Sequence, residues 1–304
     1  MAVLPVEVAD LDRVVAVHNA VRLDDPTTVD ELVDWRRQAE DMVWLVATAD
    51  GEAAGAGVGL VGWHSEPQTA RGEGWTLPQM RGHGVGSAIL AKLERWSAER
   101  GCTAIQTQVE EDDEASFAWA ARRGFGEVGR ESQLVLDLEA VDAPAVSPPP
   151  GIEVVTWAER PGIERDLYAV YVEAEPDIPG EEANEVAPFE KWLTTDMQGL
   201  SDRPDAVFVA LAGDEVVGYA KLAFPPEGTR VFHDLTGVKR TWRGRGIAGA
   251  LKRAQIVWAK EQGFGRLVTG NEARNEPIRR LNVRHGYRVE PGRIFLRKMI
   301  TGGA

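Results

Sequence analysis

The sequence has a single cysteine, Cys102, among 304 residues. One thiol makes neither an internal disulfide nor a thiolate metal cluster, so Cys102 reads as a small buried hydrophobe and no metal is expected. Long apolar runs are absent too. Nothing approaches the ~18 apolar residues of a membrane span, and the start, MAVLPVEVADLDR, lacks a basic segment followed by an apolar one. A soluble, cytoplasmic protein is expected, with no membrane partner. Basic charge is in short supply: 34 Lys+Arg stand against 48 Asp+Glu, a net charge of −14, which argues against nucleic acid as a partner. Tyrosine is scarce, and Tyr168, Tyr171, Tyr219 and Tyr287 all fall in the second half. Apolar residues are plentiful, at 43%, so a chain of this length can build cores for two domains.

The acidity is uneven. Residues 1–150 hold 12 Lys+Arg and 26 Asp+Glu, so the first half carries the whole charge of −14 and the second is neutral. The halves are nevertheless copies of one unit. At an offset of 162, Arg81, Gly82 and Gly84 become Arg243, Gly244 and Gly246; Trp96 becomes Trp258, Gly101 becomes Gly263, and Gly124-Phe125 becomes Gly286-Tyr287, without a gap. Upstream, VATADGEAAGAG resembles VALAGDEVVGYA, and the segment around Trp35 resembles that around Trp192. Such a repeat means duplication of a domain-sized unit. We place a first domain at 1–140, an extended Pro-rich linker at 141–151 and a second domain at 152–304.

Each copy runs in the same order. Amphipathic helical segments lead to apolar strands joined at a tight turn, Asp50-Gly51-Glu52 or Gly213-Asp214-Glu215. A strand then feeds a glycine motif and a helix with apolar residues at helical spacing: Ile89, Leu90, Leu93 and Trp96, or Ile247, Leu251, Ile256 and Trp258. Gly101 and Gly263 stop that helix. A strand, a short helix and a last strand complete an α/β unit with a mixed sheet.

The glycine motifs are Arg81-Gly82-His83-Gly84-Val85-Gly86 and Arg243-Gly244-Arg245-Gly246-Ile247-Ala248. A glycine turn at the mouth of a helix presents unpaired amides at the positive end of the helix dipole, and flanking arginines add charge, so each motif reads as an anion site. Neither copy has the Gly-Lys-Ser/Thr of a P-loop or the spacing of a dinucleotide fingerprint.

Both motifs resemble the Arg/Gln-x-x-Gly-x-Gly/Ala signature of the GNAT superfamily of acyl-CoA-dependent N-acyltransferases, over nearly the whole chain. The second copy adds Thr269 to Asn275 and Asn282 ahead of Gly286-Tyr287, similar to that family's tail. The layout is similar to that of mycothiol synthases and other actinobacterial tandem acetyltransferases. The resemblance implies two tandem domains, each a mixed, mostly antiparallel sheet flanked by helices. It also implies acetyl-CoA as acyl donor, its pyrophosphate on residues 243–248 and Asn275, its pantetheine bonded by the backbone of Val238, and direct attack of an amine on the thioester in a ternary complex.

The family's usual carboxylate lies eleven residues before the motif arginine, where this chain has Phe232. Strand alternation puts Asp234 on the same face, as base or substrate anchor, and His233 on the other. The family's usual acid, a tyrosine, is replaced by Asn282 and by Ala120. The second motif has the denser basic flank, Lys239, Arg240, Arg243, Arg245, Lys252 and Arg253, so the second copy is expected to be catalytic and the first degenerate or regulatory. The run Glu110-Glu111-Asp112-Asp113-Glu114 either attracts a cationic substrate or is a solvated loop. The acceptor is expected to be a small-molecule amine, cationic amines included, and the chain a monomer, itself an internal pseudo-dimer, or a homodimer. A non-catalytic acyl-CoA sensor or scaffold is the alternative.

Overall fold

The computed structural model describes residues 1–23, 25–62, 68–177, 186–224, 230–272 and 276–300. These form two compact units, Met1–Arg130 with Arg293–Ala304, and Glu131–Gly292. In the first half of the chain, strand β1 (Ala2–Val6) and helices α1 (Leu11–Val21) and α2 (Val29–Gln38) precede strands β2 (Asp41–Ala49), β3 (Glu52–Val61) and β4 (Thr69–Thr76). Helix α3 (Val85–Ala98), strand β5 (Ala104–Glu110) and helix α4 (Glu114–Ala121) follow, and then strand β6 (Gly126–Asp137). The second half repeats the order with β7 (Glu153–Thr156), α5 (Glu164–Ala174), α6 (Phe189–Trp192), β8 (Val207–Ala212), β9 (Glu215–Ala223), β10 (Arg230–Val238), α7 (Ile247–Glu261), β11 (Arg266–Glu272), α8 (Glu276–Arg284) and β12 (Arg288–Met299). Among the described residues, no helix is long and apolar enough to cross a membrane, and no cluster of side chains could hold a metal.

The expected turns form. Asp50 (φ 52°) and Gly51 (φ 88°) are both left-handed, which a two-residue hairpin of type I′ requires, and Gly213 (φ 63°) opens the second hairpin. Alternation then sorts each strand between two layers. Trp44 and Val46 of β2 pack with Leu11, Val14 and Leu32 of α1 and α2, while Leu45 and Ala47 pack with Ile89 and Leu93 of α3. Val207, Val209 and Leu211 of β8 face Leu167 and Trp192, and Phe208 and Ala210 face Ile247 and Leu251 of α7. Glycine allows the close seating of α3: a Cβ on Gly57 would lie 2.6 Å from the Ile89 Cγ2 atom. Cys102 is buried, as its composition-level reading implies.

The boundary between the units differs from the one placed at 141–151, and the cause is an exchange of final strands. In the first unit the order is β1-β2-β3-β4-β5-β12, and in the second β6-β11-β10-β9-β8-β7. β12 pairs with β5 from Arg293↔Glu110 to Met299↔Ala104, and β6 pairs with β11 from Arg266↔Asp137 to Glu272↔Glu131. Local sequence encodes a strand but not its partner, so the exchange is not readable from periodicity. Ile294 and Leu296 of β12 are buried in the core of the first unit. Leu296→Ala is therefore expected to cost about 2–5 kcal/mol and to strip hydrogen-exchange protection from β5, whereas undisturbed β5 amides would show that β12 is dispensable to the first unit.

Candidate functional site

One pair of parallel strands in each unit parts after three residue pairs. β4 and β5 meet at Thr69↔Ala104, Ala70↔Ile105 and Arg71↔Gln106; beyond that point β4 stays with β3 as far as Thr76 and β5 with β12 as far as Glu110. Their facing edges, Gly72–Thr76 and 107–110, have no ladder partner among the described residues. Here a cavity of about 660 Å³ opens. Leu90, Leu93, Ala120 and Phe125 form part of its apolar lining.

The cavity is lined by side chains of both signs. Gly82 (φ 80°) and Gly84 (φ 83°) turn the chain into α3 with open space around both. The first main-chain bond of α3 runs from Ala88 N–H to Gly84 O, 3.0 Å, so the amides of Val85, Gly86 and Ser87 precede it. Those three residues and Arg81, Arg122 and Arg123 line the cavity. Arg123 stacks on Trp119 at 3.9 Å and donates to the Ser87 hydroxyl at 2.6 Å, which fixes a guanidinium beside the helix start. The Arg81 guanidinium makes no hydrogen bond or ion pair among the described residues. His83 turns its ring to the Arg81 carbonyl, 3.0 Å.

Two carboxylates, Glu73 and Glu110, line the same cavity. Glu73 of β4 is half-buried and accepts from the Gln108 amide at 3.1 Å. Glu110 of β5 is bridged by Arg22 at 2.6 Å. Arg22 also feels Glu73 and Asp25. Trp75 is buried, edge-on to His18 at 4.6 Å. Further along the acidic run, Glu111 pairs with Arg130 at 2.7 Å. Asp113 caps α4 by accepting from the Ser116 amide at 2.9 Å and is held down by Arg81 as well, and with Asp112 it also lines the cavity. Sequence reading missed Glu73, Arg22 and Gln108. The signal was available in the offset of 162, which sets Glu73 against Leu235 on the strand searched for a base.

The second unit has the same parting. β10 and β11 pair only at Arg230↔Arg266, Val231↔Leu267 and Phe232↔Val268, and β10 bulges against β9 between His233 and Thr236. Gly244 (φ 75°) and Gly246 (φ 87°) shape the loop, and Gly246 caps α7. Ile247 is buried and Ala248 half-buried against the core. The loop's arginines, though exposed, are already bonded within the unit. Arg243 donates to the Val238 carbonyl at 2.9 Å and pairs with Asp177 at 2.6 Å. Arg240 pairs with the same carboxylate at 2.9 Å, and its amide donates to Glu173 at 2.8 Å. Bonds from Arg240 and Arg243 hold the Asp177 carboxyl down at about 2. Arg245 lies over Trp242 at 4.6 Å and donates to the Thr241 carbonyl. The linker reaches this end of α7 as well: Ser147 O accepts from Arg253 at 3.0 Å, and Pro149 lies 3.8 Å from where a Gly246 Cβ would be. Asn275 lies outside the described residues.

Asp234 and His233 are adjacent in sequence and face opposite ways, as alternation implies. Asp234 is half-exposed and ion-paired at 2.6 Å with Lys221, a buried lysine that also holds Asp202 at 2.7 Å and the Asp196 carbonyl. His233 is buried against α7, with Nε2 bonded to the Tyr287 hydroxyl. Burial and the nearby Lys252 push its pKa well below the usual imidazole value.

The sequence matches the Acetyltransferase (GNAT) family over residues 14–125 and 158–287. It is 35% identical over 123 residues to an aminoglycoside N(6')-acetyltransferase type 1 of Stenotrophomonas maltophilia, covering 38% of this chain and 78% of that protein. Among solved structures, a tandem GNAT protein from the clavulanic acid biosynthesis pathway matches with a TM-score of 0.80 at 19% identity, over 100% of this chain and 99% of the other. A GCN5-related N-acetyltransferase from Sphaerobacter thermophilus matches with a TM-score of 0.74 at 23% identity, over 100% and 96%. The chain belongs to the GNAT acetyltransferase family and is an acyltransferase with two tandem domains.

The carboxylates around Lys221 set a pH dependence. Burial, with Asp196 and Asp234, pushes the Glu175 carboxyl from its ordinary 4.5 up to about 7. The folded state thus holds that proton where the unfolded chain releases it, so this contribution to stability is present in full below pH 4.5 and lost as pH rises through about 7. Urea unfolding midpoints taken at about pH 5 and pH 8 should differ less in Glu175→Gln than in the wild type. An equal difference would place the titration elsewhere.

Proposed function

We propose that this chain transfers an acetyl group from acetyl-CoA to a primary amine of a cationic small molecule, by direct attack in a ternary complex, in the cleft of the first unit. The observation that carries this reading is the make-up of one cavity, which arginines, a helix start and the carboxylates Glu73 and Glu110 line together. It reverses the expectation drawn from basic-residue density, because Arg243 and Arg240 are bound directly to Asp177, whereas Arg81 acts on Asp113 without a hydrogen bond or close ion pair among the described residues.

The residues present fit a CoA. Left-handed glycines with open space around them, Gly82 and Gly84, let main chain approach a pyrophosphate closely. Arg81, Arg123 and the amides of Val85 to Ser87 supply donors. The edges Gly72–Thr76 and 107–110 offer main-chain groups to an extended amide-bearing arm. When bound there, acetyl-CoA supplies the acetyl group as a thioester. An amine is protonated near neutral pH, and the protein's task is to hold it and remove a proton before attack. Glu73 suits the proton, and Glu110 suits a second positive charge of the acceptor once Arg22 gives way. The aminoglycoside acted on by the 35%-identical relative is an acceptor of this charge type.

Glu73→Gln should leave acetyl-CoA affinity intact and lower turnover by about a hundredfold or more, with the deficit shrinking as pH rises and free amine becomes abundant. Gly84→Val and Gly246→Val place the same residue at left-handed φ values of 83° and 87°, a similar strain of about 1–3 kcal/mol. Only Gly84→Val should abolish acetyl-CoA binding and turnover. Loss in Gly246→Val alone would move the reaction to the second unit.

A further inference from the structure

The cleft of the first unit already holds a cation of its own. Arg22, the residue that ends α1, lines the cavity together with Glu73 and Glu110. Its Nη2 atom lies 2.6 Å from Glu110 Oε1 and 3.4 Å from Asp25 Oδ2, so one positive nitrogen sits between two carboxylate oxygens. Arg293 of β12 backs the same two atoms, at 3.6 Å from Glu110 Oε1 and 3.4 Å from Asp25 Oδ2. Two guanidiniums thus balance two carboxylates. Glu73, by contrast, bonds to the neutral amide of Gln108 and meets Arg22 only at longer range.

Gln108 and Glu110 share a face of β5, and two residues of strand set Glu110 about 7 Å beyond Gln108, the residue that touches Glu73. That spacing suits two ammonium groups of one short molecule. The second of them, however, has to take a place that Arg22 fills. Burial works against the charge of Arg22, but Glu110, Asp25 and Glu73 outweigh it and raise its pKa, so no working pH empties that place by deprotonation. A competing cation has to displace it.

The duplication marks the same position. Val14, Val17 and His18 of α1 and Leu167, Val170 and Tyr171 of α5 are buried at the same spacing, an offset of 153 that sets Arg22 against Glu175, each the residue that ends its helix. Arg22 feels Glu73 of β4, and Glu175 feels Asp234 of β10. The fold accepts either sign there, which leaves the sign free to act on a ligand. We propose that Arg22 is a specificity-determining residue: resting in the place of the acceptor's second cationic group, it withholds Glu110 and sets how much a second charge on the acceptor is worth. This rests on the acceptor reading above, in which the reacting amine goes to Glu73. An amine with one charge leaves the Arg22–Glu110 pair in place. A dication gains Glu110 only by displacing a charge-assisted bond that the chain holds at high effective concentration.

The test compares pentylamine with cadaverine, the diamine of the same length, as KM in acetyl transfer and as Kd by calorimetry on the full chain with CoA present. In Arg22→Ala the diamine's advantage over the monoamine should grow about tenfold in both quantities. Guanidinium ion at a few tens of millimolar should cancel that gain and leave the wild-type ratio unchanged. Adding Glu110→Gln to Arg22→Ala should remove both the gain and the guanidinium effect, which a general loosening of the fold would not do. An equal diamine advantage in wild type and Arg22→Ala, or a gain that guanidinium does not reverse, would overturn the proposal. Absence of turnover with either amine, alongside the calorimetric gain in Arg22→Ala, would count against the transfer reading and uphold the control of the second charge by Arg22.

Discussion

The chemistry of each unit depends on the point at which one pair of parallel strands stops pairing. Three residue pairs hold β4 to β5, and three hold β10 to β11. Past that point each strand keeps a partner on its outer side, so neither can swing back to close the gap. Main-chain N–H and C=O groups must be paired or solvated. An edge left open inside a sheet is therefore complementary to an extended ligand able to add as a strand. The glycine loop lies at the start of the helix that follows the first of these strands, and in the first unit strand edge and helix start border one cavity.

On that common frame the copies have diverged in what fills it. Leu90 and Leu93 of the first unit correspond to Lys252 and Gln255 of the second, and Glu73 to Leu235. The loops diverge in a way that counting charges does not reveal. The second is richer in arginine, but two of its arginines share Asp177, 66 positions before Arg243. An arginine bonded to a carboxylate at 2.6 Å offers less to a phosphate than a lone one, since the ligand must displace a charge-assisted bond before gaining its own. Local density of basic residues is thus a poor guide to anion affinity where the neutralising residue is distant in sequence.

What was legible in the sequence was local. The hairpin at Asp50-Gly51, the helix starts at Gly84 and Gly246, the stops near Gly101 and Gly263, and the opposite facing of His233 and Asp234 all follow from preferences acting over a few residues. The duplication was legible because it is a pattern of the sequence itself. Partners were not legible. Nothing near Asp234 announces that Lys221 of the neighbouring strand neutralises it, and nothing near Arg22 announces Glu110, 88 positions on, across the cleft. Strand exchange is the extreme case, since β12 reads equally well as the last strand of either unit.

That exchange gives a physical reason for the chain to keep both copies. One wall of the first unit's cleft is β5, which carries Gln108 and Glu110. The outer edge of β5 is paired by β12, and Ile294 and Leu296 of β12 complete the core beneath it. β12 is encoded after the whole of the second copy. A chain shortened by that copy would have to draw β6 onto β5 in its place, or leave Glu110 on a strand paired at only three positions to β4. The second unit is thus constrained to persist and to deliver the final strand even where its own loop is self-neutralised. Lys252 and Gln255 of the second unit stand where the first has Leu90 and Leu93, and that difference leaves the first unit's cleft intact.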